Sequence, residues 1–270
     1  MKDQASLKII PLESDSGENA FIEVANFDVW YNDAHVLHGV DLSFPEKEIT
    51  CIIGPSGSGK STLIRSINRI NDGVEGYSIE GSISINGQNI FDRSTDVVEL
   101  RSKVGMVFQK PCVFPKSISE NVLFGVRNQK KLSRHEALSI VEDNLKSVSL
   151  WDEVSHRLND KASSLSIGQQ QRLCMARTLA MQPEVILLDE PTSSLDPVST
   201  RAIEEMMLSL KDKYTLIFVT HNIQQAKRIA DNVVFISRGK VVESGLAEDV
   251  LNKPSATETE EYIRGEVGKI

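Results

Sequence analysis

Three short segments of the chain hold the residues with the clearest capacity for chemistry. The first is Gly54-Pro55-Ser56-Gly57-Ser58-Gly59-Lys60-Ser61-Thr62, which fits GxxxxGK followed by Ser or Thr. Its glycines let the backbone curl so that successive N–H groups converge on an anion. Lys60 would place a point charge on terminal phosphates, and Ser61 would offer a hydroxyl to Mg2+. A glycine-rich turn that binds nothing needs neither a buried strand before it nor a helix after it, and this sequence supplies both. The second segment is Val185-Ile186-Leu187-Leu188-Asp189-Glu190, an apolar run ending in two carboxylates. Ligands of open α/β sheets bind at the carboxyl ends of strands. Asp189 would meet Mg2+ there through water, and Glu190 would polarise an attacking water as general base. The third is Leu165-Ser166-Ile167-Gly168-Gln169-Gln170-Gln171-Arg172. Here Ser166 suits the N-cap of a helix whose apolar face includes Leu173, Ala176 and Ala180.

The elements that must position these residues are legible around them. Residues 49–53 are a compact apolar run stopping at Gly54, as a buried strand would. Leu63, Ile64, Ile67 and Ile70 then recur at helical spacing, so a helix begins near Ser61. Residues 21–44 alternate apolar and polar as edge strands do, and 81–88, with Asn86-Gly87, reads as a hairpin. Ala137, Leu138, Val141, Leu145 and Val148 predict a helix over 133–150. The runs 185–188, 216–219 and 233–236 predict buried strands with helical patterns between them, hence βαβ units and a parallel sheet. Residues 1–20 and those from Ser255 onward are polar and read as tails.

Composition removes several classes. The chain has 270 residues, with 30 Lys+Arg against 38 Asp+Glu and a net charge of −8, which argues against a broad nucleic-acid-binding face. The hydrophobic fraction of 40% is enough for a large core. The longest apolar runs are four residues, whereas a transmembrane helix needs about 20, so no span is expected. The polar start has no apolar segment behind it, and no signal peptide is expected. Cys51, Cys112 and Cys174 form no CxxC pair, which points away from a zinc site or a disulfide framework and toward a reducing compartment.

The order of the three segments resembles that of the ATP-binding-cassette (ABC) ATPases. The resemblance runs from about Phe21 to the end of the chain. It implies an α/β fold: a P-loop NTPase core with a mixed or parallel sheet, an N-terminal antiparallel β subdomain and an inserted helical subdomain at about 105–180. One such ATPase domain would cover 21–254, between a flexible N-terminal tail (1–20) and a C-terminal tail (255–270). ATP and Mg2+ are implied, with Gly54, Pro55, Ser56, Gly57, Ser58, Gly59, Lys60, Ser61 and Thr62 around the phosphates. Ser166, Gly168 and Gln169 resemble the signature that closes on the nucleotide of an opposite subunit. Gln109 resembles the Q-loop glutamine that contacts Mg2+ and the attacking water. Ser193-Ser194-Leu195-Asp196 resembles the D-loop, with Asp196 toward the nucleotide, and His221 resembles the switch histidine that senses the γ-phosphate. Tyr31 resembles the aromatic that stacks on adenine, with Trp30 one position away as the alternative. The implied catalytic set is Lys60, Gln109, Glu190 and His221, and the implied Mg2+ set is Ser61, Gln109 and Asp189.

Within that family the chain is most similar to the ATPase subunits of bacterial phosphate importers. Asn68-Arg69-Ile70-Asn71-Asp72 carries the likeness, as do the segment from Gln109 through Phe114-Pro115-Lys116-Ser117-Ile118, Asp196-Pro197-Val198-Ser199-Thr200, and Thr259, Tyr262-Ile263, Gly265 and Gly268 near the end. This implies a head-to-tail homodimer on the cytoplasmic face of the inner membrane. It would act with two integral membrane permease subunits and, indirectly, an extracytoplasmic phosphate-binding protein, and bind no nucleic acid. The transported phosphate would never touch this chain. Three features depart from the pattern: Ile167 where most cassettes have glycine, Ser194 where alanine is usual, and a longer N-terminal tail. The alternative within the family is an importer of polar amino acids. A DNA-maintenance ATPase would insert a long coiled coil between P-loop and signature, yet Lys60 and Ser166 are 106 residues apart with no heptad run. A two-cassette translation-factor ATPase needs a second P-loop, and a kinase or GTPase has no use for residues 166–169.

Overall fold

Alternating apolar residues near the amino end form two long antiparallel strands in the computed structural model, which describes residues 20–265. These are β1 (Ala20–Tyr31) and β2 (Ala34–Pro45), which bury Ile22, Val24, Phe27 and Val29 with Leu37, Val40, Leu42 and Phe44. There follow β3 (Ile49–Ile53), α1 (Lys60–Ile67), β4 (Tyr77–Ile85) and β5 (Gln88–Asn89). The first sheet has the order β2-β1-β4-β5, antiparallel throughout. Asn86 and Gly87, both at positive φ, make the tight β4–β5 turn.

The chain then builds a second compact unit, Asp96–Leu216, the first unit being 20–95 with 217–265. The second unit holds α2 (Val97–Lys103), β6 (Val104–Val107), α3 (Ile118–Gln129), α4 (Arg134–Ser147), α5 (Trp151–Val154), α6 (Ile167–Leu179), β7 (Val185–Asp189) and α7 (Pro197–Leu210). Strands β6 and β7 pair parallel, from Val104 with Val185 to Val107 with Leu188. Helices α3 and α4 pack on α6 through buried Val122, Val126, Val141, Leu145 and Leu173. Each of these three helices opens with a capping box: Ser117 with Glu120, Ser133 with Glu136, Ser166 with Gln169.

Strand β8 (Thr215–Val219) returns the chain to the first unit, where α8 (Ile223–Ile229), β9 (Asn232–Ser237), β10 (Lys240–Leu246), α9 (Ala247–Asn252) and α10 (Thr257–Arg264) follow. β9 pairs parallel with β3 and antiparallel with β10, a mixed arrangement. Every residue of β3, β7, β8 and β9 is buried, as continuous apolar runs require of strands covered on both faces. The expected α/β class and the antiparallel sheet near the amino end are what the chain adopts.

Three local differences from the sequence reading have physical causes. The helical pattern through Ile70 ends at Ile67, because Arg69 turns left-handed and donates its N–H to the Ser66 carbonyl three residues back (3.0 Å). Ala20 already belongs to β1, and the rest of the expected N-terminal tail, 1–19, lies outside the described residues, as do 266–270 with Gly268. The polar stretch from Ser255 contains a helix, α10. Its approach is held by the Glu243 carboxylate, which accepts from Ser255 N (2.7 Å), Ser255 Oγ (2.8 Å) and Ala256 N (3.2 Å). Gly265 at φ 74° closes its end. No helix among the described residues is long and apolar enough to cross a membrane.

Candidate functional site

In the first unit the site is built on the β3-to-α1 turn. The parallel register carries Ile53 beside Phe235, so Gly54 comes level with Ile236. Gly54 sits at φ 146°, and a Cβ there would lie 2.0 Å from the Ile236 carbonyl oxygen. Only glycine fits that approach. At the other end of the loop Gly59 stands at φ 100°, where a Cβ would come within 2.6 Å of Leu37 Cδ2 on β2. The Gly239 N–H, in the β9–β10 turn, donates to the Ser58 carbonyl (3.0 Å), and His38 N–H donates to Gly239 O (2.9 Å). The loop is thus clamped from three sides, while Gly57 between the clamps has no atom within 4 Å of its would-be Cβ.

Lys60 begins α1 and is 5% exposed. Its ammonium donates to the carbonyls of Gly54 (2.8 Å) and Pro55 (2.7 Å). The Ser58 hydroxyl is buried without a hydrogen-bond partner. A curled loop holding a cation and an unmatched buried hydroxyl fits an oxyanion that would complete both.

Tyr31, the last residue of β1, is half-buried with its ring 5.6 Å from that of Tyr77. Tyr77 Oη lies 2.9 Å from Ser66 Oγ on α1, and burial pushes its phenol up from the usual value. Trp30 turns to the opposite face and stacks on His35 at 4.4 Å. His221 follows β8 and is exposed beside the cap of α8. Its neighbours are tied down: Thr220 Oγ1 donates to Gln225 Oε1 (2.9 Å) and accepts from Asn222 N–H (3.1 Å).

The second unit holds the carboxylates. Asp189 ends β7 at 2% exposure. Glu190 follows at φ 46°, a left-handed conformation that costs a non-glycine residue about 1–2 kcal/mol. The turn re-aims its side chain toward Gln109, just beyond β6, whose Nε2 donates to Glu190 Oε2 (3.4 Å) and to Ser193 Oγ (3.1 Å). The fold therefore gathers Gln109, Glu190 and Ser193, which sequence alone does not pair. Ser166 Oγ accepts from Gln169 N–H (3.3 Å), Gln169 Oε1 accepts from Ser166 N–H (3.0 Å), and Gln169 Nε2 donates to Glu153 (2.7 Å). Gly168 is buried against α7, where a Cβ would meet Ser199 Oγ at 2.7 Å. The Asp196 carboxylate caps α7 through Val198 N–H and Ser199 N–H, and hydrogen bonds from Ser199 hold it below the ordinary aspartate range.

A cleft of about 180 Å3 also lies in this unit, lined by Met106, Phe114, Phe124, Arg177 and Met181 among others. The Arg177 guanidinium covers the Phe114 ring at 4.4 Å and donates to the Cys112 carbonyl (2.9 Å). Sequence reasoning does not single out Arg177 or Phe124, because the Q-loop meets them only after folding. Among the described residues no group of three or more His, Cys, Asp or Glu side chains could hold a metal, and Cys51, Cys112 and Cys174 are free thiols.

Comparison with known proteins decides the family. The model of the family described as ABC transporter matches residues 37–193. The chain belongs to the ABC transporter family. Among curated relatives, this ABC protein is 49% identical to the phosphate import ATP-binding protein PstB of Shewanella denitrificans, over 97% of this chain and 96% of that one. It is 50% identical to the protein of the same name from Thermotoga maritima, over 92% and 98%. Among solved structures, cbiO1 of Clostridium perfringens, part of the ABC transporter complex cbiONQ, matches with TM-score 0.76 at 30% identity, covering 90% of this chain and 95% of that one. A bacterial Atm1-family ABC exporter with ATP bound matches with TM-score 0.75 at 26% identity, covering 90% and 42%. Family membership implies ATP binding.

The loop geometry separates its glycines. Gly54→Ala should cost well over 2 kcal/mol, since strain and a backbone clash add, whereas Gly57→Ala should cost only the left-handed strain of about 1–2 kcal/mol. Urea denaturation midpoints of the two variants test this ordering, and equal midpoints would contradict it.

Proposed function

We propose that this protein is the ATP-hydrolysing subunit of a phosphate importer. The observation that carries the reading is the near full-length identity of about half to phosphate import ATP-binding proteins. The clamped loop around Lys60 supports the chemistry.

On this reading the N–H groups of residues 54–62 receive the ATP phosphates and Lys60 turns from the loop carbonyls to the terminal ones. Tyr31 stacks on adenine, and His221 reports the γ-phosphate. The oxygen donors Ser61 Oγ, Gln109 Oε1 and Asp189 suit Mg2+, which when bound neutralises charge on the β- and γ-phosphates. Glu190 takes the proton of the attacking water. Gln109, already hydrogen-bonded to that carboxylate, holds it until the nucleotide arrives. Catalysis is positioning and charge neutralisation, with no covalent intermediate on the protein.

Two copies would pack head to tail, each presenting Ser166, Gly168, Gln169 and the D-loop with Asp196 to the other's nucleotide. The start of α6 suits this part, since helix N-termini favour anions and Ile167 beside it is 54% exposed. The cleft lined by Met106, Phe114, Phe124 and Arg177 would take a segment of each integral membrane permease subunit. Motion there would reach Glu190 through Gln109. An extracytoplasmic binding protein would deliver phosphate to the permease, and this chain would sit peripherally on the cytoplasmic face of the membrane.

Glu190→Gln should retain ATP affinity in calorimetry while turnover falls about a hundredfold or more; turnover at the wild-type rate would remove Glu190 as the base. Radiolabelled phosphate uptake should be lost in cells lacking this chain and return with it. Uptake of a polar amino acid lost in place of phosphate would favour that alternative substrate.

A further inference from the structure

We infer that Tyr262 is a positioning residue of the phosphate loop: its hydroxyl keeps the Gly54 carbonyl satisfied when the Lys60 ammonium leaves for a nucleotide. The inference rests on the proposal that the loop binds ATP, and it brings α10 into the nucleotide cycle.

The Gly54 carbonyl oxygen accepts from Lys60 Nζ at 2.8 Å and from Tyr262 Oη at 3.0 Å. Two lone pairs therefore meet two donors. Gly54 is buried, whereas Pro55, the other carbonyl bound to Lys60, is partly exposed and open to water. When Lys60 turns to phosphates, it vacates both carbonyls. Water can replace it at Pro55. At Gly54 only a protein donor can, and an unpaired buried carbonyl opposes nucleotide binding by the cost of its lost partner.

Tyr262 is held ready for that task. Its ring stacks on Phe235 at 5.0 Å, and Phe235 precedes Ile236, whose carbonyl bounds Gly54 on the other side. Helix α10 is fastened to β9 and β10 independently of Tyr262. Glu243 takes three hydrogen bonds from Ser255 and Ala256, Ser237 Oγ donates to Glu258, and Thr259 is fully buried. The hydroxyl is thus a donor placed in advance, and holding it costs no ordering when ATP arrives.

Tyr262→Phe removes this hydroxyl and keeps the ring stack. Without nucleotide, Lys60 still serves Gly54, so the melting temperature should stay at the wild-type value. With ATP and Mg2+, the dissociation constant measured by calorimetry should rise about five- to tenfold, with KM rising in parallel and kcat unchanged. Tyr262→Leu, which also loses the stack, should lower the melting temperature of the free protein. Wild-type ATP affinity in Tyr262→Phe would overturn the inference. So would a variant that loses stability without nucleotide yet binds ATP normally, for the hydroxyl would then be a structural tie. A folded wild-type protein that does not bind ATP would remove the functional proposal itself and this inference with it.

Discussion

The constraint on which the site depends is the placement of one cation. Lys60 is almost fully buried, and its ammonium is satisfied by carbonyls of the loop it belongs to. An ammonium buried without partners would shift its pKa and neutralise. Here the Gly54 and Pro55 carbonyls help to hold it at a fixed point. Those carbonyls stay where they are because Gly54 is wedged against Ile236, Ser58 is tied to Gly239, and Gly59 is pressed on Leu37. Each clamp comes from a strand that neighbours β3 or from the antiparallel sheet. The fold of the first unit thus works as a mould for the backbone of the loop.

The second unit solves a related problem with anions. Its carboxylates are placed either by an uncommon backbone angle, as at Glu190, or by helix starts, as at Asp196. The capping boxes of α3, α4 and α6 serve the same economy, since each satisfies backbone donors that would otherwise be orphaned. At α6 the box has a further consequence: Ser166 and Gln169 are occupied with each other and Gln169 with Glu153, so the segment has a defined shape. Gly168 fixes that segment against α7, where a Cβ would meet Ser199 Oγ.

Much of this was legible in the residues. The buried strands announce themselves as short, largely apolar runs, and the loop between β3 and α1 is marked by its glycine spacing. The N-cap at Ser166 could be read because capping is a local interaction. What could not be read is whatever depends on distant partners. Gln109 is 81 positions from Glu190, and nothing in either segment names the other. Helix α10 was hidden for a different reason: Thr-Glu-Thr-Glu-Glu-Tyr-Ile-Arg has few apolar residues, and it is docked by hydroxyls, the carboxylates of Glu243 and Glu258, and one aromatic ring. Its role surfaces only when the donors to the Gly54 carbonyl are counted.

Membership of the ABC transporter family implies ATP binding, and the geometry of the first unit gives the glycine-rich loop at 54–61 its physical content. The most direct test of the account is calorimetric titration of ATP into the wild-type chain and Lys60→Ala, with melting curves to establish that both are folded. The account predicts about a hundredfold weaker ATP binding in the variant, because a charge-assisted bond to phosphate is lost. Equal affinity in the two folded proteins would contradict it.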